Sequence, residues 1–252
     1  MEETASAKTA TVNGIELYFE TWGRGEPLLL LHGMGGCAQD WRYAGRELLA
    51  REYQLIAVDA RGHGHSTNLG GTLTHRQCAL DVRALLDQLG IRRCRAIGMS
   101  MGGNTLLHVA TQEPERLEAM VIVSATPYFP EQARAIMRTI SPDDRPAEEW
   151  RAMRERHVHG DAQIRALFEA QRDLAGSVDD VSFTPPQLAR VTARTLVVYG
   201  DRDPLYPVEL GVELYRSIPH AALWVVPNAG HGPVFLEAAE PFARTALAFL
   251  RE

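Results

Sequence analysis

The 252-residue chain has few cysteines, no excess of basic residues and no long hydrophobic run. Its three cysteines, Cys37, Cys78 and Cys94, lack metal-ligand spacing, which favours reduced thiols over a disulfide framework or a metal site. A formal net charge of -6 argues against partners such as nucleic acid or an anionic membrane. No apolar stretch approaches the ~18 residues that a transmembrane helix needs. The first residues are acidic and lack the apolar segment of a secretory signal, so we expect a cytoplasmic protein.

Hydrophobic residues make up 45% of the chain and charged residues 23%, a balance typical of a globular protein with one large core. Short apolar runs predict eight strands, at residues 9–12, 15–20, 28–31, 55–58, 95–97, 120–123, 196–199 and 223–226. Asn13-Gly14 between the first two runs predicts a β-hairpin. Helical periodicity lies between the later runs, as at residues 82–89. The pattern predicts an α/β fold: a mostly parallel eight-stranded sheet with helices on both faces.

The alternation of strands and helices stops between about Pro127 and Thr192, where three helical patterns and six prolines occur. We expect a core of residues 1–126 and 193–252 and a small helical cap insertion of residues 127–192. A subdomain that only packs on the core is the simpler alternative. A cap is favoured because the insertion leaves the core at the sheet edge where such folds bind ligands.

Apolar side chains of this insertion are the candidate lining of a substrate pocket. They are Phe129, Ile136, Met137, Ile140, Met153, Leu167 and Phe168. Core packing is the other interpretation of the same residues, and the sequence does not decide which of them face a pocket.

Ser100 is the candidate nucleophile. It lies in Gly98-Met99-Ser100-Met101-Gly102-Gly103, between an apolar run and a helix-compatible stretch. Gly-x-Ser-x-Gly at a strand-to-helix junction is typical of a nucleophile elbow, which exposes the serine hydroxyl. The same spacing also occurs by chance in loops, so its significance depends on the presence of catalytic partners later in the chain.

His231 is the candidate general base, because it lies in a glycine-flanked turn after the last predicted strand. A base needs a carboxylate to orient its imidazole, and Asp203 is the preferred one. Asp201 is the rival, since both follow the same strand, and either could instead cap a helix or a turn. The order Ser, Asp, His matches one of the common serine triads. Seven further histidines are predicted to be surface or packing residues: His63, His65, His75, His108, His157, His159 and His220.

A tetrahedral intermediate also needs backbone N–H groups that hold its oxyanion. The amide of Met101, directly after the serine, is one candidate. The glycine-rich segment 31–36 follows the first parallel strand and supplies the second, with Met34 favoured over Gly33. A phosphate cradle is the alternative for this loop. It lacks the Lys-Ser/Thr ending of a P-loop and the Gly-x-Gly-x-x-Gly dinucleotide motif.

Five segments together resemble the α/β-hydrolase fold superfamily along nearly the whole chain. They are Leu31-His32-Gly33-Met34-Gly35-Gly36, Asp59-Ala60-Arg61-Gly62-His63-Gly64-His65-Ser66, Gly98-Met99-Ser100-Met101-Gly102-Gly103, Gly200-Asp201-Arg202-Asp203 and Ala229-Gly230-His231. The resemblance implies an α/β-hydrolase fold with Ser100 as nucleophile, Asp203 as acid and His231 as base. It implies oxyanion amides at Met34 and Met101, and it makes His32 and residues 59–66 structural supports of the site.

The superfamily contains several activities. Serine at position 100 argues against epoxide hydrolases and haloalkane dehalogenases, which use aspartate there. We expect a serine hydrolase that cleaves carboxylic esters or lactones, such as acyl-homoserine or enol lactones, through an acyl-enzyme without metal or cofactor. C–C bond hydrolysis and cofactor-free perhydrolase or haloperoxidase chemistry on the same triad are the alternatives. A hydrolase-like receptor is a further one, which steady turnover of p-nitrophenyl esters would exclude. The sequence does not specify the oligomeric state.

Overall fold

The computed structural model describes residues 6–68 and 71–252. Eight strands form one sheet in the spatial order β1-β2-β4-β3-β5-β6-β7-β8. The strands are β1 (Ser6–Val12), β2 (Ile15–Trp22), β3 (Pro27–Leu31), β4 (Gln54–Val58), β5 (Cys94–Met99), β6 (Leu117–Val123), β7 (Arg194–Gly200) and β8 (Ala221–Val226). The predicted eight-stranded sheet is confirmed, since each predicted apolar run lies in one of these strands.

The pairing of the strands confirms that the sheet is mostly parallel. β1 and β2 form the predicted antiparallel hairpin, in which Val12 pairs with Ile15. Asn13 and Gly14 form its turn with φ of 44° and 78°, the left-handed conformations that Asn-Gly favours. β2 also pairs antiparallel with β4, whereas the pairings from β4 through β3 and β5 to β8 are all parallel.

Helices cover both faces of the sheet. They are α1 (Arg46–Leu49), α2 (His75–Gln88), α3 (Met101–Gln112), α4 (Glu131–Arg138), α5 (Ala147–Arg156), α6 (Asp161–Asp173), α7 (Pro185–Leu188), α8 (Val208–Ser217) and α9 (Ala239–Arg251). Short 3₁₀ helices lie at Ala38–Ala44, Pro114–Arg116, Pro142–Asp144, Leu174–Gly176 and Leu236–Ala238. In the two described ranges, no helix combines the length and the apolar character needed to cross a membrane.

Strand β3 shows why its sequence is a continuous apolar run. Leu29 and Leu31 face the core that α2, α3 and α8 cover. Leu28 and Leu30 face the opposite core, which α1 and α9 cover. A strand buried on both sides has no solvent face to make polar, so the alternation of apolar and polar residues disappears. Because the strands from β3 through β5, β6 and β7 to β8 pair in parallel, their carboxyl ends lie at the same edge of the sheet.

The segment between β6 and β7 contains α4 to α7 and no strand of the main sheet. Its inner side chains make a small apolar cluster of their own, formed by Ile140, Met153, Ile164, Leu167 and Phe168. The division of the chain into a core and a cap at residues 127 and 192 stays a prediction.

Candidate active site

Ser100 lies at a strained turn between β5 and α3. Its backbone has φ 50° and ψ -110°, a conformation that costs a side-chain-bearing residue about 1–3 kcal/mol. The turn is held because the Ser100 amide donates to Val123 O at 2.7 Å. A Cβ on Gly98 would lie 2.5 Å from Gly102 O, and one on Gly102 would collide with Leu31 O. The two glycines therefore let the helix approach the sheet closely enough to expose the serine.

Ser100, His231 and Asp203 form a hydrogen-bonded chain. His231 Nε2 lies 2.9 Å from Ser100 Oγ, and His231 Nδ1 lies 2.8 Å from Asp203 Oδ2. The Asp203 side chain is fully buried, and its second oxygen accepts the amides of Leu205 at 2.8 Å and Tyr206 at 3.1 Å. Because the carboxylate accepts from Nδ1–H, the Nε2 lone pair faces the serine hydroxyl, as a general base requires.

Asp201 does not contact the imidazole. Its Oδ1 accepts the amide of Ala229 at 3.3 Å, and the residue is exposed. It therefore shapes the turn that carries His231, while the structure brings Asp203 to the ring. Of the two aspartates that the sequence left as rivals, Asp203 contacts the imidazole and Asp201 contacts only the turn.

The amides of Met34 and Met101 border the same cavity as Ser100. Neither amide has a hydrogen-bond partner among residues 6–68 and 71–252. Gly33 packs against Met99 and Ser100, since a Cβ there would lie 2.7 Å from Met99 Sδ and 3.5 Å from Ser100 Cβ. The loop after β3 thus presents backbone donors beside the serine, which is the arrangement that an oxyanion hole needs.

Buried histidines hold this loop. His32 Nε2 accepts the amide of Ala60 at 3.0 Å, and His63 Nε2 accepts the amide of Gly35 at 3.1 Å. His157, at the end of α5, accepts the amide of Gly64 on Nδ1 at 2.8 Å and donates from Nε2 to Gly35 O at 3.1 Å. A nitrogen that accepts from an amide carries no proton, so these rings are neutral.

Burial lowers the pKa of His157 to about 4 and that of His63 well below its usual value, which agrees with neutral rings. Asp59 adds support, since Oδ1 accepts the amide of Ala38 at 2.6 Å and Oδ2 accepts that of His65 at 2.8 Å. These contacts are those of residues that position a loop, the role that the resemblance implied for His32 and residues 59–66.

The cavity in front of Ser100 contains about 490 Å³ of space, part of it open to solvent. Of the predicted pocket residues, Phe129 and Met137 line it. The structure does not bring the other five to this cavity. Ile140, Met153, Leu167 and Phe168 pack around Ile164 instead, and Ile136 is 38% exposed. The physical reason is that the short helices of the insertion bury their apolar faces mainly against one another.

Sequence reasoning missed five residues that line the cavity: His75, Gln171, Leu174, Leu205 and Tyr206. A signal existed for Leu205 and Tyr206, because they directly follow Asp203 at the same strand end. For His75 the sequence shows only that Thr74, a residue type common at helix starts, stands directly before it. In the structure the Gln77 amide donates to the Thr74 hydroxyl at 3.0 Å. Nothing in that pattern indicates that the first turn of α2 reaches the cavity.

Metal-binding clusters of three or more His, Cys, Asp or Glu side chains are absent from the described part of the chain. Cys37, Cys78 and Cys94 are buried and free. Burial raises the pKa of the Cys37 and Cys94 thiols to about 12, so both are neutral at physiological pH and poor metal ligands.

Comparison with known proteins agrees with the geometry. The model described as the alpha/beta hydrolase family matches residues 28–245. A 2-hydroxy-6-oxononadienedioate/2-hydroxy-6-oxononatrienedioate hydrolase 2 of Pseudomonas putida is 27% identical, covering 100% of this chain and 98% of the relative. The non-heme chloroperoxidase CPO-A1 of Kitasatospora aureofaciens is 28% identical over 96% of this chain and 98% of the relative.

A solved structure of a thermophilic esterase from Thermogutta terrifontis, with malate bound, superposes with a TM-score of 0.78. It is 25% identical and the match covers 98% of each chain. The family model spans the sheet from β3 to α9, including the elbow and the segment that carries His231. The chain belongs to the alpha/beta hydrolase family and is an enzyme.

Proposed function

We propose that this enzyme hydrolyses carboxylic esters or lactones through an acyl-enzyme on Ser100. The observation that carries the proposal is the hydrogen-bonded chain from Asp203 through His231 to Ser100 Oγ, with distances of 2.8 Å and 2.9 Å. The esterase from Thermogutta terrifontis, 25% identical over 98% of both chains, supports ester chemistry. The substrate is a small molecule, because Ser100 and His231 lie in a cavity lined by side chains of the core and of the insertion.

In the first half of the reaction, Ser100 Oγ attacks the carbonyl carbon while His231 Nε2 takes the hydroxyl proton. Asp203 holds the ring in the Nδ1–H tautomer and stabilises the imidazolium that forms. The carbonyl oxygen becomes an oxyanion, which the amides of Met34 and Met101 bind. Collapse of this intermediate breaks the bond to the alkoxide, which takes the proton from His231 Nε2.

In the second half, water replaces the alcohol. His231 takes a proton from the water, the hydroxide attacks the acyl carbonyl, and the same amides bind the second oxyanion. Collapse breaks the bond to Ser100 Oγ, which regains its proton from His231. A lactone differs only in that its alkoxide stays tethered to the acyl group until the acid leaves.

The test compares kcat of the Ser100→Ala variant with that of wild type on p-nitrophenyl esters and lactones. We expect kcat to fall at least about 10⁴-fold, because the oxyanion donors and substrate binding alone supply little of the rate. Ser217→Ala at the end of α8 removes a hydroxyl remote from the cavity and should keep kcat within about twofold, since surface changes are near neutral. Comparable activity in Ser100→Ala and wild type would contradict the mechanism.

C–C bond hydrolysis or perhydrolysis on the same triad is the second candidate. It is favoured by the two relatives named above, a 2-hydroxy-6-oxononadienedioate hydrolase and a chloroperoxidase, each matched along at least 96% of this chain. A panel of p-nitrophenyl esters, lactones of different ring size and a ring-cleavage dienone separates the candidates. The ester and lactone proposal requires kcat/KM on the best ester or lactone to exceed that on the dienone.

A further inference from the structure

A second histidine and aspartate pair lies beside the catalytic cavity. His75 Nδ1 is 2.6 Å from Asp180 Oδ2, and both side chains are at least 95% buried. Asp180 comes from the insertion, whereas His75 is the first residue of α2. The His75 ring also borders the cavity that contains Ser100 and His231. The cavity therefore has two imidazoles that are each anchored by an aspartate through Nδ1.

His75 differs from the other buried histidines in its hydrogen bonds. Outside the triad, the buried histidines are His32, His63, His75, His108 and His157. Four of them use both ring nitrogens within the protein, as His108 does with Asp180 O and Gln112. His75 Nε2 has no partner among the described residues. Because Nε2 has no such partner and yet is not enclosed by protein atoms, it is accessible from the cavity and can bond a ligand there.

The Asp180 carboxylate binds both the His75 ring and the start of α2. Its oxygens also accept the amides of His75 at 2.8 Å and Arg76 at 3.0 Å, the first two N–H groups of α2. Burial raises the pKa of the Asp180 carboxyl, but the hydrogen bond and Coulombic attraction of His75, together with the hydrogen bonds from these amides, outweigh it and hold the pKa at about 2. These contacts fix the carboxylate at the N-terminus of α2, where an anion is favourable.

A helix N-terminus also disfavours a cation at position 75. The neutral ring that donates Nδ1–H to Asp180 has a lone pair on Nε2. The cavity lining combines the apolar side chains of Phe129, Met137 and Leu174 with the polar side chains of Gln171 and Tyr206. A substrate group that donates a hydrogen bond would satisfy Nε2 where the protein does not.

We propose that His75 is a specificity-determining residue whose Nε2 accepts a hydrogen bond from a hydroxyl or amide N–H on the acyl part of the substrate. Asp180 is a positioning residue that fixes the ring and its tautomer. The inference rests on the proposed ester or lactone hydrolysis. It adds the substrate class: acyl groups with a hydrogen-bond donor away from the carbonyl that Ser100 attacks.

The test compares each donor-bearing p-nitrophenyl ester with an unsubstituted ester of similar chain length. Butyrate and hexanoate are the unsubstituted references. The hydroxyl arm uses 2-hydroxybutyrate, 3-hydroxybutyrate and 6-hydroxyhexanoate, and the amide arm uses N-acetylglycine and N-acetyl-β-alanine. Mono-p-nitrophenyl glutarate adds a carboxylate instead of a donor. For the best donor ester we expect a wild-type kcat/KM about 10- to 100-fold above its reference, expressed mainly in KM.

The ratio of kcat/KM on the donor ester to kcat/KM on its reference is then measured in three variants. In His75→Leu the ratio should fall to about 1, since the acceptor is gone. His75→Gln keeps an amide that can bridge Asp180 and the cavity, and it should retain part of the ratio. His220→Leu is the matched control at an exposed position between α8 and β8, where the ratio should equal that of wild type. The wild-type ratios test the proposal even if His75→Leu does not fold.

Several outcomes contradict the proposal. Wild-type ratios near 1 for every donor ester show that no acceptor acts, and a ratio that survives His75→Leu assigns the contact to another residue. A preference for the glutarate ester that is lost in His75→Leu shows a cationic ring instead of an acceptor. Absence of turnover on all esters, the references included, contradicts the proposed function itself, whereas turnover without donor preference contradicts only the inference.

Discussion

Two aspartates two positions apart show how individual residues determine the proposed mechanism. Asp203 is buried, and three hydrogen-bond contacts hold its carboxylate: the amides of Leu205 and Tyr206 and, at 2.8 Å, His231 Nδ1. Asp201 is exposed and accepts one turn amide at 3.3 Å. Only a buried acceptor can hold the Nδ1–H tautomer through a catalytic cycle, because water would otherwise compete for the ring.

We predict that Asp203→Asn lowers kcat on p-nitrophenyl butyrate by about 10⁴-fold, with a smaller change in KM. The asparagine can present its amide N–H to Nδ1, which moves the ring proton to Nε2 and removes the base. The matched control Asp201→Asn keeps an oxygen for Ala229 and should stay within about threefold of wild type, as exposed substitutions generally do. Steady-state kinetics decide, and equal losses in the two variants would contradict the assignment of Asp203.

At the same scale, the sequence could indicate the triad but not the pocket. Ser100, Asp203 and His231 each follow a predicted strand, and parallel strands end at one edge, so their proximity follows from the order of elements. Met153 and Ile164 also show a clear helical pattern. Such a pattern indicates that one face of a helix is buried, but it does not indicate what covers that face. Here the neighbouring helices of the insertion cover it.

Among the elements, the loop after β3 is held on two sides. Gly33 touches the nucleophile, while Gly35 is bonded through its amide to His63 and through its carbonyl to His157. The loop is therefore fixed from the core and from the insertion at once. A fixed loop keeps the Met34 amide in place, and preorganised donors are worth several kcal/mol of transition-state stabilisation.

We predict that Gly33→Ala lowers kcat by about 10- to 100-fold while KM changes less. The new Cβ would lie 2.7 Å from Met99 Sδ, so the flexible Met99 side chain, which lines the cavity beside Ser100, must shift and change the space in which the carbonyl binds. Gly176→Ala is the matched control, since no atom lies within 4 Å of its added Cβ. Kinetics with p-nitrophenyl butyrate and thermal melts separate the effect on catalysis from the effect on stability. An unchanged kcat in Gly33→Ala would show that the close contact of Gly33 with Met99 is not needed for catalysis.

The sheet could be predicted from the sequence because its strands are buried on both faces and read as uninterrupted apolar runs. The contacts of the joint between α5 and α6 could not be predicted from the sequence. There His157, Val158 and Gln163 bond backbone atoms of residues 62–64, and such contacts depend on geometry that no periodicity encodes.

At the scale of the whole molecule, buried polar contacts join the insertion to the core at two places. His157 bonds Gly35 and Gly64 at one, and Asp180 bonds the start of α2 at the other. Asp180 O also accepts from His108 Nε2 of α3 at 2.6 Å. These contacts add to the apolar packing of the insertion on the core, and their strength depends on the protonation of the rings.

Falling pH should therefore weaken the fold before it protonates the carboxylates. Burial lowers the pKa of His108 and of His157 to about 4, whereas an unfolded histidine titrates near 6.5. The unfolded chain thus binds more protons between these values. The stability that the two neutral rings contribute is fully present above about pH 6.5 and is lost as the pH falls towards about 4. The Asp180 carboxyl, with its pKa at about 2, contributes a separate loss only below about pH 4.

We predict that the free energy of unfolding in urea decreases from pH 7 to pH 5, with each of His108 and His157 contributing up to about 2 kcal/mol. His157→Gln removes one titrating ring, so it should be less stable than wild type at pH 7 but lose stability less steeply towards pH 5. His220→Gln, at an exposed position, should reproduce the wild-type slope. If His157→Gln and wild type lose stability in parallel, protonation of His157 is not linked to unfolding, and the joint between the insertion and the core must tolerate a charged ring.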